Sequence, residues 1–471
     1  MTLKITKVRE GARIPERATA GSAGLDLCAC IDEPVTVAGR GSAVVGTGMS
    51  HFGSFPEKTT RDLFVEAFQD MRASVDRGLD PNDIESIYIG NYSSDLFEGQ
   101  GHTAPIMADW VGLAPRPATR VEDACASGGV ALRQGILAVA SGLYDVVLVG
   151  GIEKMSNLPI SGVTDALATA GDVSFEIPAG FTFPGFYAAM ATAYMHRYGA
   201  SADALLRVGI KNHDNGALNP KAQFRARIAD LMAGRIAKAQ QKGLPVPGWQ
   251  NEMDFLHDDG ANPPIAWPLR LFDCSPVTDG AAAVLLVSEE IARRFSDDPL
   301  YVVGTGQASD TSALHDRPEL TALRAAQGAA RQAYEMAGVT AADIKIAEVH
   351  DCFTIAEIIA TEDLGFFAPG TGHEAAEEGL TSRHGPKPIN TSGGLKSKGH
   401  PVGASGAAQV VEVWKQMRLG VEAVKSFDGD LRLSRSHGDL QWANAHKPSD
   451  LLSVGDAGSQ AVAIAMRHGL I

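Results

Sequence analysis

Short apolar runs rich in β-branched residues alternate along this chain with stretches that carry apolar side chains at helical spacing. The strand-like runs cover residues 144–151, 282–288, 301–304 and 344–349, and the clearest helix-like stretches cover residues 130–143 and 355–364. This alternation is typical of an α/β fold. A chain of 471 residues also exceeds one ordinary hydrophobic core, so we expect two or more domains with substantial burial.

One thiol stands on a turn between a strand and a helix, in the segment Glu122-Asp123-Ala124-Cys125-Ala126-Ser127-Gly128-Gly129. Because residues 130–143 are predicted to be helical, Cys125 would lie near a helix N-terminus, where free N–H groups and the helix dipole favour a thiolate. The alternative is a buried and inert cysteine, since small neighbours also permit close packing. The local pattern favours a nucleophile.

Two later segments supply acid/base side chains at the ends of apparent strands or loops. They are Glu348-Val349-His350-Asp351-Cys352-Phe353 and Lys398-Gly399-His400-Pro401-Val402-Gly403. Cys125 and Cys352 each follow a strand candidate and precede a helix candidate, which is a weak internal echo of two similar halves. Such turns recur in every α/β fold, so the echo alone does not establish a duplication.

With these residues, the chain resembles the thiolase superfamily, specifically the sterol-carrier-protein type and its archaeal and bacterial acetyl-CoA acetyltransferase relatives. Further segments agree in order: Val44-Val45-Gly46-Thr47-Gly48-Met49, Lys211-Asn212-His213, Phe272-Asp273-Cys274-Ser275-Pro276, Leu314-His315-Asp316-Arg317 and Gly393-Gly394-Leu395-Lys396-Ser397-Lys398. The resemblance runs from about residue 43 to about residue 432. It implies a thiolase fold, with two similar α/β halves packed in layers and a loop domain inserted in the first half.

The domain boundaries expected from this resemblance divide the chain into three parts. Residues 1–40 are an appended segment, residues 41–295 form the first half with a loop domain at 155–270, and residues 296–471 form the second half. Within the insertion, the charged stretch 235–262 is expected to be a solvated loop. Cys274 is expected to be structural, because Asp273 is its one acid/base neighbour.

The resemblance also implies roles for individual residues. Cys125 would be the nucleophile, His400 would accept its proton, Cys352 would move the α-carbon proton, and His350 with His400 would hold the enolate oxygen. Gly394, Gly399 and Gly455 would lie at the substrate-binding surface. The reaction would be formation or cleavage of acetoacetyl-CoA or another 3-ketoacyl-CoA, with CoA thioesters as substrates and no metal or organic cofactor.

Two alternatives stay open at this stage. Cys125, His350 and His400 alone also resemble the Cys-His-His set of β-ketoacyl synthases, which condense by decarboxylation and need no second thiol. Cys352 therefore favours a thiolase. The other alternative is a catalytically weak subunit that serves binding or assembly, because the C-terminal tail departs from the family pattern.

Both ends of the chain depart from that pattern. Residues 1–40 contain Ile14-Pro15-Glu16-Arg17 and Ser22-Ala23-Gly24-Leu25-Asp26-Leu27, which resemble the first motif of dUTP pyrophosphatases. None of that family's later motifs follows, so we expect an appended fragment and no dUTP hydrolysis. In the atypical tail, residues 433–471, the segment 454–459 followed by 461–466 is the candidate replacement for the Gly-rich loop and strand that help form an oxyanion hole.

Composition bounds the partners and the compartment. The net charge is −15 without a basic cluster, which disfavours nucleic acid and anionic membranes as partners. No apolar stretch approaches the roughly 20 residues that span a bilayer. An odd number of cysteines, five, fits a reducing compartment. We therefore expect a cytoplasmic enzyme of lipid metabolism, a homodimer or homotetramer, with an OB-fold protein as an expected further partner.

Overall fold

The computed structural model describes residues 40–419, 450–456 and 460–468. The appended segment predicted at residues 1–40 lies outside the described residues except for Arg40, and so does much of the atypical tail. None of the helices within residues 40–419 combines the length and the apolar character needed to cross a bilayer.

The expected α/β alternation is confirmed, and it builds one large mixed sheet. Its strands are β1 (Ser42–Met49), β2 (Ser86–Gly90), β3 (Ala118–Val121), β4 (Val146–Glu153), β7 (Gly280–Ser288), β8 (Leu300–Ser309), β9 (Ile346–Glu348), β10 (Asp450–Asp456) and β11 (Gln460–His468), and a small hairpin pairs β5 (Pro264–Ala266) with β6 (Leu269–Arg270). The order in the large sheet is β3-β2-β4-β7-β1-β8-β11-β10-β9.

The helices connect these strands. They are α1 (Thr60–Ser74), α2 (Ser94–Phe97), α3 (Thr103–Trp110), α4 (Ser127–Ala140), α5 (Ile160–Ala168), α6 (Phe183–Tyr198), α7 (Ala202–Gly216), α8 (Ile228–Gln241), α9 (Glu252–His257), α10 (Arg324–Ala337), α11 (Thr354–Asp363), α12 (Gly372–Glu377), α13 (Gly394–Ser397) and α14 (Ser405–Leu419). The stretch 235–241, expected to be part of a solvated loop, is instead the end of α8.

The sheet repeats one topology on both sides of the β1–β8 pair. In the first half β1 pairs with β7 and β7 with β4, both antiparallel, while β4 with β2 and β2 with β3 are parallel. In the second half β8 pairs with β11 and β11 with β10, both antiparallel, and β10 with β9 is parallel. A parallel bridge from Ala347 to Ile389 stands where β3 stands in the first half. The chain therefore contains two similar halves.

This topology changes the correspondence suggested by the internal echo. Cys125 follows the third strand of its half and precedes α4, whereas the residue that follows Ile389 and precedes α14 in the second half is His400. Cys352 follows β9, the second strand, so its counterpart in the first half is the segment that begins at Asn91. The interpretation that the turns at Cys125 and Cys352 correspond is therefore wrong.

The atypical tail contributes two regular strands. Asp450 to Asp456 pairs with Ala461 to Arg467, and Leu451 to Ser453 also pairs with β9. In chain order, and with the bridge at Ile389 counted as the third, these are the fourth and fifth strands of the second half, as β4 and β7 are in the first. The candidate replacement strand is therefore confirmed, while residues 457–459 of the predicted loop lie outside the described part.

Two helices, α4 and α14, pack together on strands of both halves. Their buried side chains share one apolar cluster with residues of β1, β4, β7, β8, β9 and β11. A second cluster joins α1 and α3 to the first half, and a third joins α6, α7, α10 and α11 to the second half. The N-termini of α4 and α14 are thereby held where the two halves meet.

Candidate active site

Cys125 lies in a tight turn that backbone strain and one serine shape. Ala124 has φ of +44°, a left-handed conformation that costs a non-glycine residue about 1–3 kcal/mol. The Ser127 hydroxyl donates to the Ala124 carbonyl at 2.7 Å and accepts the Asp123 N–H at 2.8 Å. Cys125 follows in a single 3₁₀ turn and is buried. The thiol therefore stands at the N-terminus of α4, as the sequence predicts.

Glycines allow the two helix N-termini to approach backbone to backbone. A Cβ atom at Gly128 would lie 2.7 Å from the Gly403 carbonyl oxygen, and one at Gly406 would lie 2.4 Å from the Gly129 nitrogen. Neither distance leaves room for a side chain. The paired glycines after Cys125 and after His400 thus bring the two turns together, a reason that sequence reasoning did not supply for them.

His400 has a defined tautomer. Its Nδ1 lies 2.6 Å from the Ser405 hydroxyl oxygen, and that hydroxyl donates to the Pro401 carbonyl at 3.0 Å. Because the hydroxyl proton is used in this way, the serine oxygen accepts a hydrogen bond from Nδ1–H, and Nε2 carries the lone pair. Burial, followed by the Lys398 ammonium, lowers the pKa of His400 to about 3. The imidazole is therefore neutral near pH 7 and able to accept a proton.

His350 is buried beside His400. Neither of its ring nitrogens has a hydrogen-bond partner among the residues that the structure describes. The two imidazole rings lie 5.1 Å apart between centroids, at 71°. Burial, followed by the charge on His400, lowers the pKa of His350 well below its usual value. A buried polar group without a partner is costly, so His350 is suited to meet an oxygen that a ligand brings.

A buried polar network fixes the segment that carries His350 and Cys352. Asp351 accepts the Leu395 N–H at 2.7 Å and the Asn212 amide at 2.7 Å. The same amide donates to Glu357 at 2.9 Å, and Glu357 pairs with Lys211 at 2.7 Å. Burial, followed by the nearby Glu357 charge, raises the pKa of Asp351 to about 7. Lys211 and Asn212, noted only as part of a sequence pattern, are thus supports of the site.

Cys352 is buried at the start of the connection to α11. Its carbonyl accepts the Ser275 N–H at 2.9 Å, and the next residue, Phe353, bridges to Cys274 and stacks on Tyr187 with ring centroids 4.7 Å apart. These contacts join the second half to the insertion between β4 and β7. They hold Cys352 at the wall of a cavity.

All four predicted catalytic residues line this cavity of about 280 Å³. One ligand-capable atom each from Cys125, His350 and His400 lies within 4.8 Å of the other two. Most of the remaining wall is apolar and comes from the insertion, including Ile160, Val163, Leu167, Phe183 and Tyr187. The arrangement presents a thiol, two neutral imidazoles and a second thiol to one desolvated space.

The three predicted substrate-binding glycines lie elsewhere in the fold. Gly394 has φ of +58° and packs on the Asp351 carboxylate, while Gly399 has φ of +115° and packs on Thr278. Neither lines the cavity. Gly455 lies in β10 opposite Val462. A direct substrate contact by these glycines stays a prediction, since their observed contacts are with the supporting structure.

Sequence reasoning missed Glu153, a buried carboxylate that joins the His400 turn to the segment after β2. It accepts the Tyr92 and Ser93 N–H groups at 2.8 and 3.1 Å and the Gly403 N–H at 3.0 Å. Burial raises the pKa of Glu153 to about 7, against these backbone donors. A Glu-Lys pair directly after the apolar run of β4 was the available signal.

Two family models match this chain over most of its length. The model described as "Thiolase, N-terminal domain" matches residues 42–244, and the one described as "Thiolase C-terminal domain-like" matches residues 306–446.

Two curated relatives and one solved structure illustrate the similarity. An acetyl-CoA acetyltransferase of Methanothermobacter thermautotrophicus is 43% identical, over 80% of this chain and 91% of its own. Sterol carrier protein 2 of Bos taurus is 29% identical, over 80% of this chain and 66% of its own. The solved structure of an "Ltp2-ChsH2(DUF35) aldolase" covers 92% of this chain and 99% of its own, with TM-score 0.71 and 22% identity. At that identity it supports the fold alone.

Proposed function

This chain belongs to the thiolase family and is a thiolase-type acyltransferase, and we propose that its own reaction is that of an acetyl-CoA C-acetyltransferase. Two acetyl-CoA molecules would give acetoacetyl-CoA and CoA, or the reverse. The observation that carries the proposal is the convergence of Cys125, His350 and His400 within 4.8 Å in a cavity that Cys352 also lines. The name of the relative that is 43% identical gives the substrate class.

In the first half-reaction, Cys125 attacks the thioester carbonyl of acetyl-CoA. Nε2 of His400 accepts the thiol proton and then returns it to the sulfur of departing CoA, so that an acetyl-enzyme and CoA result. The fixed Nδ1–H tautomer supports this role, because it leaves the lone pair on Nε2. The low pKa of free His400 does not prevent the transfer, since the new thiolate beside it favours the imidazolium.

In the second half-reaction, the Cys352 thiolate takes the α-carbon proton of a second acetyl-CoA. The enolate carbon then attacks the acetyl group on Cys125, and Cys125 leaves as a thiolate. Transfer of the proton from Cys352 to Cys125 restores the starting thiol and thiolate. His350 would donate a hydrogen bond to the enolate oxygen, of the kind worth about 3 kcal/mol in an oxyanion hole. His400 donates the second hydrogen bond once Nε2 is protonated, a state that the negative charge on the enolate favours. This assignment is supported by the buried ring nitrogens of His350, which have no hydrogen-bond partner within the described part of the chain.

The oxyanion formed on the acyl group of Cys125 needs a separate pair of donors. We propose the Cys125 N–H at the start of α4 as one donor. The four catalytic residues line one cavity, which favours the active enzyme over the weak binding subunit considered from the sequence.

The remaining sequence-based expectations stay proposals. They are the three-part domain division, no cofactor beyond the CoA thioesters, a cytoplasmic location, a homodimer or homotetramer, and a small OB-fold partner. The three described cysteines that are not disulfide-bonded fit a reducing compartment. The structural neighbour carries DUF35 in its name, which gives an independent motive to look for a partner. Light scattering of the purified chain would distinguish dimer from tetramer.

Mass spectrometry after brief exposure to acetoacetyl-CoA tests the catalytic assignment. We expect one acetyl group, located on Cys125 by peptide mapping and absent from Cys125→Ser. Cys352→Ser is the matched variant, because it should still acquire the acetyl group from acetyl-CoA but should fail to form acetoacetyl-CoA. An adduct on Cys274 or Cys352, or no adduct on folded wild-type protein, would contradict the proposal.

A further inference from the structure

The resting active site also has the donor set of a soft-metal site. The Cys125 sulfur and one nitrogen each from His350 and His400 lie within 4.8 Å of one another, and all three residues are buried. A thiolate and two imidazoles are ligands that Zn²⁺ and similar cations prefer. Mg²⁺ and Ca²⁺ prefer oxygen ligands instead.

The second observation is the lack of partners on His350. It is 3% exposed, and neither ring nitrogen has a hydrogen-bond partner among the described residues. On His400, the Ser405 contact occupies Nδ1 and leaves the lone pair on Nε2. His400 thus offers a nitrogen with the tautomer that a metal ligand needs. His350 offers a buried nitrogen that no described residue occupies.

We propose that the substrate-free enzyme binds one thiophilic divalent cation, with Zn²⁺ as the reference, through Cys125, His350 and His400, and that the bound cation blocks acyl transfer. The cation is an inhibitor here and has no part in the reaction. Its binding does not depend on the proposed acetyl transfer, so the two proposals fail separately.

The spacing suits a tetrahedral ion after small side-chain movements. Zn–S and Zn–N bonds of about 2.3 and 2.0–2.1 Å imply ligand atoms about 3.3–3.6 Å apart. The observed separations reach at most 4.8 Å, which is about 1.2–1.5 Å longer than the tetrahedral spacing. Side-chain rotations can supply this difference. The cavity beside the three residues leaves the fourth position to water.

Binding of the cation releases one proton from the nucleophile. The Cys125 thiol and the cation, Cys–SH and M²⁺, give a Cys–S–M⁺ unit and H⁺. Acetylation removes the same sulfur as a ligand, and cation and acyl group therefore exclude each other.

A second group of potential ligands, Asp172, Glu176 and His315, does not carry a similar inference. Glu176 already accepts the His315 backbone N–H at 2.8 Å and lies 2.9 Å from its Nδ1. The His315 side chain is 49% exposed. This group supplies the control for the experiment.

The test is a titration of the wild-type chain with Co²⁺, followed by competition between Zn²⁺ and a chromophoric chelator. We expect one equivalent of Co²⁺ to produce a thiolate-to-cobalt absorption band and tetrahedral d–d bands, and Zn²⁺ to remove them. Cys125→Ser should lose the thiolate band and bind Zn²⁺ at least about 100-fold more weakly, a larger effect than the 10–100-fold typical of an outer-shell ligand partner. His350→Ala should also weaken binding, whereas His315→Ala should not.

Wild-type protein acetylated on Cys125 provides a test that needs no substitution and should give no thiolate band. The inference is overturned if wild type gives no such band, if Cys125→Ser binds Zn²⁺ as tightly as wild type, or if only His315→Ala abolishes binding. Acetylation of Cys125 without metal binding would refute this inference and leave the proposed function standing. Metal binding without acetylation of Cys125 would leave this inference standing and refute the proposed function.

Discussion

The turn at Cys125 and the turn at His400 occupy the same position in the two halves, yet they present different chemistry. Each follows the third strand position of its half and leads into a helix that begins with serine, at Ser127 and Ser405. Ser127 bonds to the backbone of its own turn, whereas Ser405 also reaches the His400 ring. One architecture therefore supports a nucleophile in one half and a proton acceptor in the other.

The difference between the turns arises from what each serine must hold. The Cys125 turn needs a strained backbone, with Ala124 at φ of +44°, and Ser127 satisfies the polar groups that this conformation leaves. The His400 turn needs a particular tautomer, and Ser405 supplies the acceptor that selects it. The shared glycine contact between α4 and α14 brings the two specialised turns into one site.

Among the variants that compare the two turns, replacement of His400, the proton acceptor, should have the largest effect. We expect His400→Asn to lower the rate of Cys125 acetylation about 10²–10⁴-fold, the usual contribution of general acid/base catalysis. Single-turnover acetylation followed by mass spectrometry measures it. A rate within threefold of wild type would remove His400 from the first half-reaction.

The next largest effect should come from placing a side chain in the glycine contact between the two turns, which should lower stability. In Gly406→Ala, a methyl group would lie 2.4 Å from the Gly129 backbone nitrogen, and we expect a loss of about 1–3 kcal/mol in unfolding free energy. Gly234→Ala is the matched control, because it lies exposed in α8 with no atom within 4 Å of the added carbon. That control should gain up to about 1 kcal/mol. Equal effects in urea unfolding would contradict the close approach.

Replacing Ser405 and replacing Ser127 should differ in the kind of effect that they have, and not only in its size. Without Ser405, the His400 ring loses the acceptor that fixes its tautomer, so Ser405→Ala should slow acetylation by about tenfold, equivalent to about 1.4 kcal/mol. The acetylation rate of Ser405→Ala should also depend more strongly on pH than the rate of wild type. Ser127→Ala should destabilise the Cys125 turn without that change in pH profile, and identical profiles for the two variants would contradict the distinction.

A buried histidine outside the cavity provides a test of stability that leaves both turns unchanged. Burial lowers the pKa of His213 to about 3, while an unfolded histidine has a pKa of about 6.5. Between these values the unfolded chain binds a proton that the native chain does not, so this group lowers the free energy of unfolding as pH falls. The slope is up to about 1.4 kcal/mol per pH unit.

Comparison with His213→Gln isolates this contribution. Urea unfolding between pH 7.5 and 5 should show a steeper loss of stability on acidification in wild type than in the variant. Since His213 does not line the cavity, the acetyl-enzyme should still form in the variant. Parallel pH profiles of stability would exclude a neutral His213 in the native state.

Much of the fold followed from local patterns, and the main error concerned a long-range correspondence. The apolar runs at residues 144–151 and 282–288 correctly predicted β4 and β7. Both strands are buried along their whole length, so their own side chains are mostly apolar. The interpretation that the turns at Cys125 and Cys352 correspond was wrong, because the two turns have similar local sequence patterns. Only the order of strands in the sheet identifies His400 as the counterpart of Cys125.

The sequence by itself determined the α/β class, the family and the four residues expected to perform the chemistry, since each is carried by a short segment whose spacing is local. The tertiary structure decided which atoms can act. It joined α4 and α14 through glycines and placed Ser405 beside the His400 ring. It also left His350 without a hydrogen-bond partner among the described residues and bound the His400 turn to Glu153. These features depend on contacts between residues far apart in the chain, and no local pattern encodes such distances.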